Sequence, residues 1–214
     1  MKEIGILMST EMVRATIAGR KTKTRRIIKP RPIIDEDSGS VFDRKYRRQY
    51  NIHNWKNRFI DDFSKWMPGD LLYVRESFHK HPGYGSGPIY SFRADNPLTE
   101  NANIWKPSIH LPKEQSRLWL DVKGIHIEQL QSITREDAIK EGIESMVFED
   151  VPDKPTGYKI YGSKDWDEDP VVSFWSLWDM INPENNFQSN PWVWVIEFEV
   201  LSTTGRENIK KDAA

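Results

Sequence analysis

The densest chemistry in the chain lies between positions 20 and 31. There Arg20, Lys21, Lys23, Arg25, Arg26, Lys29 and Arg31 place seven cations in twelve residues. In a strand, alternate residues face opposite sides, so these cations would divide between two faces. Such a density suits contacts to phosphate. A solvated edge strand, guarded by Lys and Arg against pairing with a second chain, fits the composition equally well. Arg75 and Glu76 are adjacent on an expected strand and so point to opposite faces. Arg75 has the fork geometry for a phosphate or a carboxylate, whether on a ligand or in a structural ion pair. Lys106, Ser108, His110 and Arg117 border a segment bounded by Pro107 and Pro112. Loops beside a rigid scaffold are where ligand contacts gather. The stretch from Arg44 to Tyr50, followed by Trp55 and Lys56, mixes cations with aromatics. That mixture either tracks a single nucleic-acid strand or is a solvated helix face with its rings turned inward.

Composition removes several chemistries. The 214 residues carry 31 basic and 32 acidic side chains, a formal net charge of -1, so any nucleic-acid surface must be local. With no cysteine there is no disulfide framework, no thiol nucleophile and no thiolate metal site. His53, His79, His81, His110 and His126 show no zinc-ligand spacing, and the His79–His81 pair lacks acidic neighbours. No metal and no cofactor is expected. The opening MKEIGILMST lacks the form of a signal peptide, and no run approaches about 20 apolar residues. The expectation is a cytoplasmic protein without a membrane partner. Nine tryptophans are unusual, and such rings fill a core or stack on flat ligands.

The elements that must hold these residues can be read along the chain. Glu3 to Met8 reads as a strand, and Ser9 or Thr10 caps a short helix that stops at Gly19. The basic segment to Ile28 suits a strand leaving a loop. Residues 30–67 show no sustained period and read as an insertion with one short helix. The turn Met67-Pro68-Gly69-Asp70 launches the strand Leu71 to Phe78, and Ile89 to Arg93 is another candidate. Leu118 to Ile127 alternates, with a bulge suggested at Gly124. Thr134 and Asp137 are spaced as a capping box for a helix that ends at Gly142. Residues 143–170 are polar and read as a second insertion. Val172 to Ile181 is the best amphipathic helix, Trp192 to Leu201 is the closing strand, and 202–214 reads as a flexible tail. Short strands with two or three helices and no βαβ alternation predict an α+β fold around a small mixed barrel. One domain over 1–201 accommodates both insertions.

Four segments resemble the ASCH domain family in order. Ala18-Gly19-Arg20-Lys21-Thr22-Lys23-Thr24-Arg25-Arg26 is similar to that family's first motif, and Pro68 to Glu76 to its next strand. Asp137-Ala138-Ile139-Lys140-Glu141-Gly142 resembles its helix end, and Trp192 to Phe198 its last strand. Trp105 to Pro112, with Ser116 and Arg117, is similar to the family's longer, phage- or prophage-associated branch.

The resemblance implies a PUA-like barrel that binds RNA or a modified nucleoside. Small members of the family are amidohydrolases that deacetylate acetylcytidine, and others are linked to ribonuclease activity. Their working Lys, Thr and Glu correspond to Lys21, Thr24 and Glu141 here. In that chemistry a Thr hydroxyl needs a neighbouring base, a Lys amine serves once its pKa is lowered, and a Glu shuttles a proton. Lys21 and Thr24 are three apart, so the pairing requires a turn or bulge between them. Arg20, Arg25, Arg26, Arg75, Glu76, Lys106, Ser108, His110 and Arg117 are the expected ligand-binding set. A non-catalytic binding module or a nuclease of phage origin is the alternative, and the sequence does not fix the oligomeric state.

Overall fold

The computed structural model describes residues 1–35, 37–43, 48–82, 88–95, 104–149 and 156–209. The fold is α+β. In chain order its strands are β1 (Glu3–Leu7), β2 (Lys23–Ile27), β3 (Ile33–Asp35), β4 (Ser40–Asp43), β5 (Arg48–Asn51), β6 (Leu71–Arg75), β7 (Phe78–His81), β8 (Ile89–Phe92), β9 (Trp119–Gln129), β10 (Ser145–Val147), β11 (Thr156–Lys159), β12 (Trp166–Asp167) and β13 (Trp192–Ser202). The helices are α1 (Thr10–Ile17), α2 (Trp55–Phe63), α3 (Arg135–Lys140) and α4 (Pro170–Ile181). The largest sheet has the order β1-β6-β9-β13-β2, an open order and not a closed barrel. The chain groups into two compact units. One comprises Met1–Thr22, Pro68–Lys123 and Phe198–Ala214, and the other Lys23–Met67 and Gly124–Glu197.

In the first unit, β1 pairs parallel with β6, from Glu3 opposite Leu71 to Leu7 opposite Arg75, and β6 pairs antiparallel with the start of β9. One face of these strands is the core, with Ile6, Leu72, Val74 and Leu120 buried. The other face carries Gly5 beside Tyr73, where a Cβ on Gly5 would lie 2.9 Å from the ring. The tyrosine can lie across β1 only because position 5 lacks a side chain. Ser9 caps α1, its hydroxyl accepting from the Met12 amide at 3.3 Å. Gly19 adopts φ 72°, and the amides of Arg20 and Lys21 return to the Ala15 carbonyl at 2.9 and 3.1 Å. β7 and β8 form an antiparallel hairpin. Beyond Ser202 the chain is held to Asn208. The Gly205 amide donates to the Arg117 carbonyl at 2.9 Å, and Arg206 Nε donates to Glu3 at 2.9 Å. Backbone and charge both find partners over these residues.

In the second unit, β2 pairs antiparallel with β13, with Lys23 opposite Glu197 and Ile27 opposite Val193. In the described residues of the insertion at 30–67 there is more regular structure than its sequence suggests. It is a three-stranded antiparallel sheet, β3-β4-β5, followed by α2. Its strands have only three or four residues, too short for a period to show. Rings hold it: Trp55 meets Trp192 edge-on at 4.9 Å, and Phe59 lies 5.7 Å from Trp194. Several of the tryptophans are thus core. The second insertion likewise contains an antiparallel sheet, β10-β11-β12. Asp169 caps α4 through the Val171 amide at 2.9 Å, and Pro170 takes the first helical position, where its missing N–H costs nothing.

A buried charge network on β2 and the arginines Arg75 and Arg117

The first candidate group belongs to the second unit and is built on β2. β2 is the last strand of the sheet order, yet Thr24 and Arg25, adjacent and so on its opposite faces, are both buried at 4 % exposure. A buried guanidinium requires acid partners. Arg25 has three. Its Nε and Nη2 reach Glu128 Oε1 at 2.8 and 2.7 Å, its Nη2 reaches Asp137 at 3.1 Å, and its Nη1 reaches Glu141 Oε1 at 3.0 Å. The Phe174 ring lies 5.8 Å from its central carbon. Burial alone would lower the arginine's pKa, but the charges of Glu141 and Glu128 and the hydrogen bonds they accept carry it above its usual value.

The acids come from two elements. Glu128 ends β9. Asp137 and Glu141 belong to α3, whose start is fixed by Thr134: its hydroxyl accepts from the Asp137 amide at 3.2 Å. Glu141 is the C-cap of α3, and Gly142 turns the chain out of the helix at φ 86°. A carboxylate at a helix C-terminus meets the negative end of the backbone dipoles. Glu141 is also buried at 4 % exposure, so Arg25 supplies positive charge where local structure disfavours an acid. Lys23 extends the network, with Nζ 2.9 Å from Asp137 and 2.7 Å from Glu197. Burial opposes the charge on Lys23, but its bonds to Glu197 and Asp137 raise its pKa. Burial pushes the Asp137 carboxyl up, yet Lys23 and Arg25 leave it below the ordinary range. Glu128 is likewise pushed up by burial and held low by its bond to His126 and the charge of Arg25. Arg26 is half-buried. Its pKa is lowered by burial, against the attraction of Glu141.

Lys21 belongs to the first unit. It precedes β2 in an isolated bridge position and is among the largest fully buried side chains, at 2 % exposure. Arg20 is exposed.

The remaining expected ligand residues lie in the first unit. Glu76, just past β6, is 1 % exposed. Arg117 grips it through Nε to Oε1 at 2.8 Å and Nη2 to Oε2 at 3.1 Å. The same guanidinium holds Asp95 at 2.7 and 3.1 Å and lies 4.4 Å from the Phe92 ring centre. Burial raises the Glu76 pKa, and the bond and charge of Arg117 only partly offset it. Glu76 and Arg117 are therefore partners of each other. Arg75 is half-buried, and its Nη1 donates to the Ile109 carbonyl at 3.3 Å. Ile109 sits in a short 3-10 turn with half-buried Ser108 and exposed His110, while Lys106 is exposed just before it.

Sequence reasoning did not single out Lys23, Asp95, Glu128, Asp137 or Glu197 as members of these clusters. Asp137 was legible only as a cap. A signal existed at Glu128, an acid in an otherwise alternating strand. Residues 44–47 of the cation–aromatic stretch lie outside the described residues. Of its described part, Arg48 bonds Asp62 at 2.7 Å and Tyr50 donates to Asp62 at 2.9 Å, while Trp55 is core. Among the described residues, no group of three or more His, Asp or Glu side chains is placed to hold a metal ion, and no helix is long and apolar enough to cross a membrane. Comparison with protein-family models, with curated proteins and with solved structures finds no match to the chain.

Proposed function

We propose that the chain is a nucleoside-directed protein of the PUA-like type that hydrolyses an acylated nucleoside. In this reading Thr24 is the nucleophile or water-orienting group, Lys21 the base and Glu141 the proton partner. Water and the N-acyl group become a carboxylic acid and the free amine. The proton taken from the attacking oxygen returns to the leaving nitrogen.

One observation carries the reading: Lys21, Thr24 and Glu141, the three residues singled out by the resemblance, are all buried, at 2, 4 and 4 % exposure. Surface-exposed lysine and glutamate are the norm, and buried ionisable groups concentrate at functional sites. The charge count favours a neutral substrate over a polyanion. In the second unit Lys23, Arg25, Arg26 and Lys65, whose charge bears on Arg26, stand against Glu128, Asp137, Glu141 and Glu197, four cations to four acids. A phosphate chain meets no surplus of positive charge there. The four ordered motifs support PUA-like affiliation of the open five-stranded sheet.

The test is release of cytidine from acetylcytidine by the purified chain, followed chromatographically, beside T24V, E141Q and K21M variants with folding checked by thermal melting. The wild type is expected to turn over. The folded variants should lose activity by a factor of at least about 100. Wild-type protein that binds the nucleoside without turnover would leave a binding module in place of the hydrolase. Absence of both binding and turnover would overturn the substrate assignment.

A further inference from the structure

Three arginines of this chain can be compared by what meets the edge formed by Nε and Nη2. That edge is the natural seat for a bidentate oxyanion. In Arg25 it meets Glu128, at 2.8 and 2.7 Å. In Arg117 it meets Glu76, at 2.8 and 3.1 Å. Arg75 differs. Its Nε is buried and makes no hydrogen bond, its Nη1 makes only the long bond to the Ile109 carbonyl, and no described carboxylate pairs with it.

A buried donor without an acceptor costs roughly 1–3 kcal/mol, so its persistence calls for an explanation. The second orphan of this unit, Trp105 Nε1, is also a donor. It lies on the segment that leads to Ile109, so both orphans call for an acceptor and neither for a cation. The surrounding charge agrees. The Tyr73 ring has the Arg75 guanidinium 5.6 Å from its centre and the Lys113 amine 5.7 Å from it. The Lys113 amine is already paired with Glu3, which Arg206 also holds, so Arg75 is the guanidinium of this arrangement with no described acid. Lys106 and His110 flank the Ile109 turn, both exposed.

We propose that the Nε–Nη2 edge of Arg75 is an oxyanion site that takes a phosphate group, with the guanidinium oriented by the Ile109 carbonyl and Lys106 beside the same turn. Phosphate is preferred to a single carboxylate because a second cation, the exposed Lys106, borders the Ile109 turn and has no acid partner among the described residues, so a doubly charged ligand is matched. The inference goes beyond the proposed hydrolysis and uses none of its residues. Phosphate on a free nucleotide and phosphate within a strand share this chemistry.

The test follows the arginine Nε–H resonances of the labelled full chain by NMR during titration with inorganic phosphate, cytidine monophosphate, cytidine and a short single-stranded RNA. Phosphate-bearing probes should move the Arg75 signal saturably, while cytidine alone should not, and the Arg25 and Arg117 signals should stay in place. Equal response to inorganic phosphate and monophosphate would assign the free group as ligand. Response to RNA alone would assign the strand. R75Q should abolish binding, and R75K, which keeps the charge but loses the fork, should weaken it about tenfold. No saturable shift with any probe, or undiminished binding in R75Q, overturns the site. The wild-type resonance carries the test even where a variant folds poorly. Turnover of acetylcytidine is read separately, so failure of either proposal leaves the other standing.

Discussion

Replacing Arg25 with methionine probes the charge network directly. The substitution roughly preserves length and apolar bulk but removes every donor that Glu128, Asp137 and Glu141 share. The Arg25 side chain is 0 % exposed and the three acids are 16, 16 and 5 % exposed, so little solvent screens the loss. Breaking a buried pair by removing one partner costs about 3–5 kcal/mol. Lys23 stays on Asp137 at 2.9 Å and moderates the effect, so we take about 4 kcal/mol, a large part of a typical stability of about 5–15 kcal/mol. With a urea slope of about 2 kcal/mol/M, the unfolding midpoint should fall by about 2 M at pH 7.

The pH dependence sharpens this test. In the wild type Asp137 and Glu128 sit below their ordinary values of 3.8 and 4.5. A depressed folded pKa contributes stability that is present above the unfolded value and is lost as pH falls through the folded one. Burial already pushes both acids up, and without Arg25 only Lys23 on Asp137 and His126 on Glu128 oppose it, so both pKa values rise. Their contribution to stability at neutral pH then shrinks. The gap between wild type and R25M should therefore be widest near pH 7 and narrow on approach to pH 4.5. Urea unfolding followed by tryptophan fluorescence at both pH values measures it. A gap below about 1 kcal/mol at pH 7, or one that does not change with pH, would refute this account of the network.

Three smaller perturbations follow from the same geometry. T134A removes the cap that accepts from the Asp137 amide and should cost about 1 kcal/mol in denaturant unfolding. G142A forces a side chain into φ 86° and should cost about 1–2 kcal/mol, read by the same unfolding curve. R117K exchanges a doubly forked guanidinium for a point charge, so the already raised pKa of Glu76 should rise further, as followed by carboxyl carbon chemical shifts. Since a raised carboxyl pKa yields stability that is lost as pH climbs through it, R117K should also lose more stability than the wild type between mildly acidic and neutral pH.

What the sequence showed of the fold was its punctuation. Ser9 and Thr134 cap helices, and Gly19, Gly69 and Gly142 take positive φ at the expected turns. These are local effects, decided within about four residues, and a single sequence carries them. The sheets of the two insertions were not legible, because strands of two to four residues display no period and their register depends on remote packing. The Trp55–Trp192 contact that seats α2 spans most of the chain and leaves no local mark. The candidate site divides in the same way. Residue types and the resemblance pointed to Lys21, Thr24 and Glu141. The acids that Arg25 serves are 103, 112 and 116 positions away, beyond any local pattern.

That separation explains why a run of cations is a poor guide to where anions bind. In a chain with net charge -1, acid is on average available for each base, and folding decides which bases receive it. Lys23 and Arg25, which look like phosphate ligands in the sequence, are held by Glu128, Asp137, Glu141 and Glu197. The same holds for Arg117, whose fork closes on Glu76 and Asp95. Arg75, expected from the sequence as a ligand residue on a segment with few cations, has no acid partner among the described residues. An anion arriving at β2 must displace a carboxylate already bonded within the fold, at a cost of several kcal/mol. At Arg75 it would instead satisfy a donor that is already desolvated. The useful quantity for locating an anion is thus the count of acids within reach of each guanidinium, and by that count the dense motif favours a neutral ligand and the sparse one a charged one.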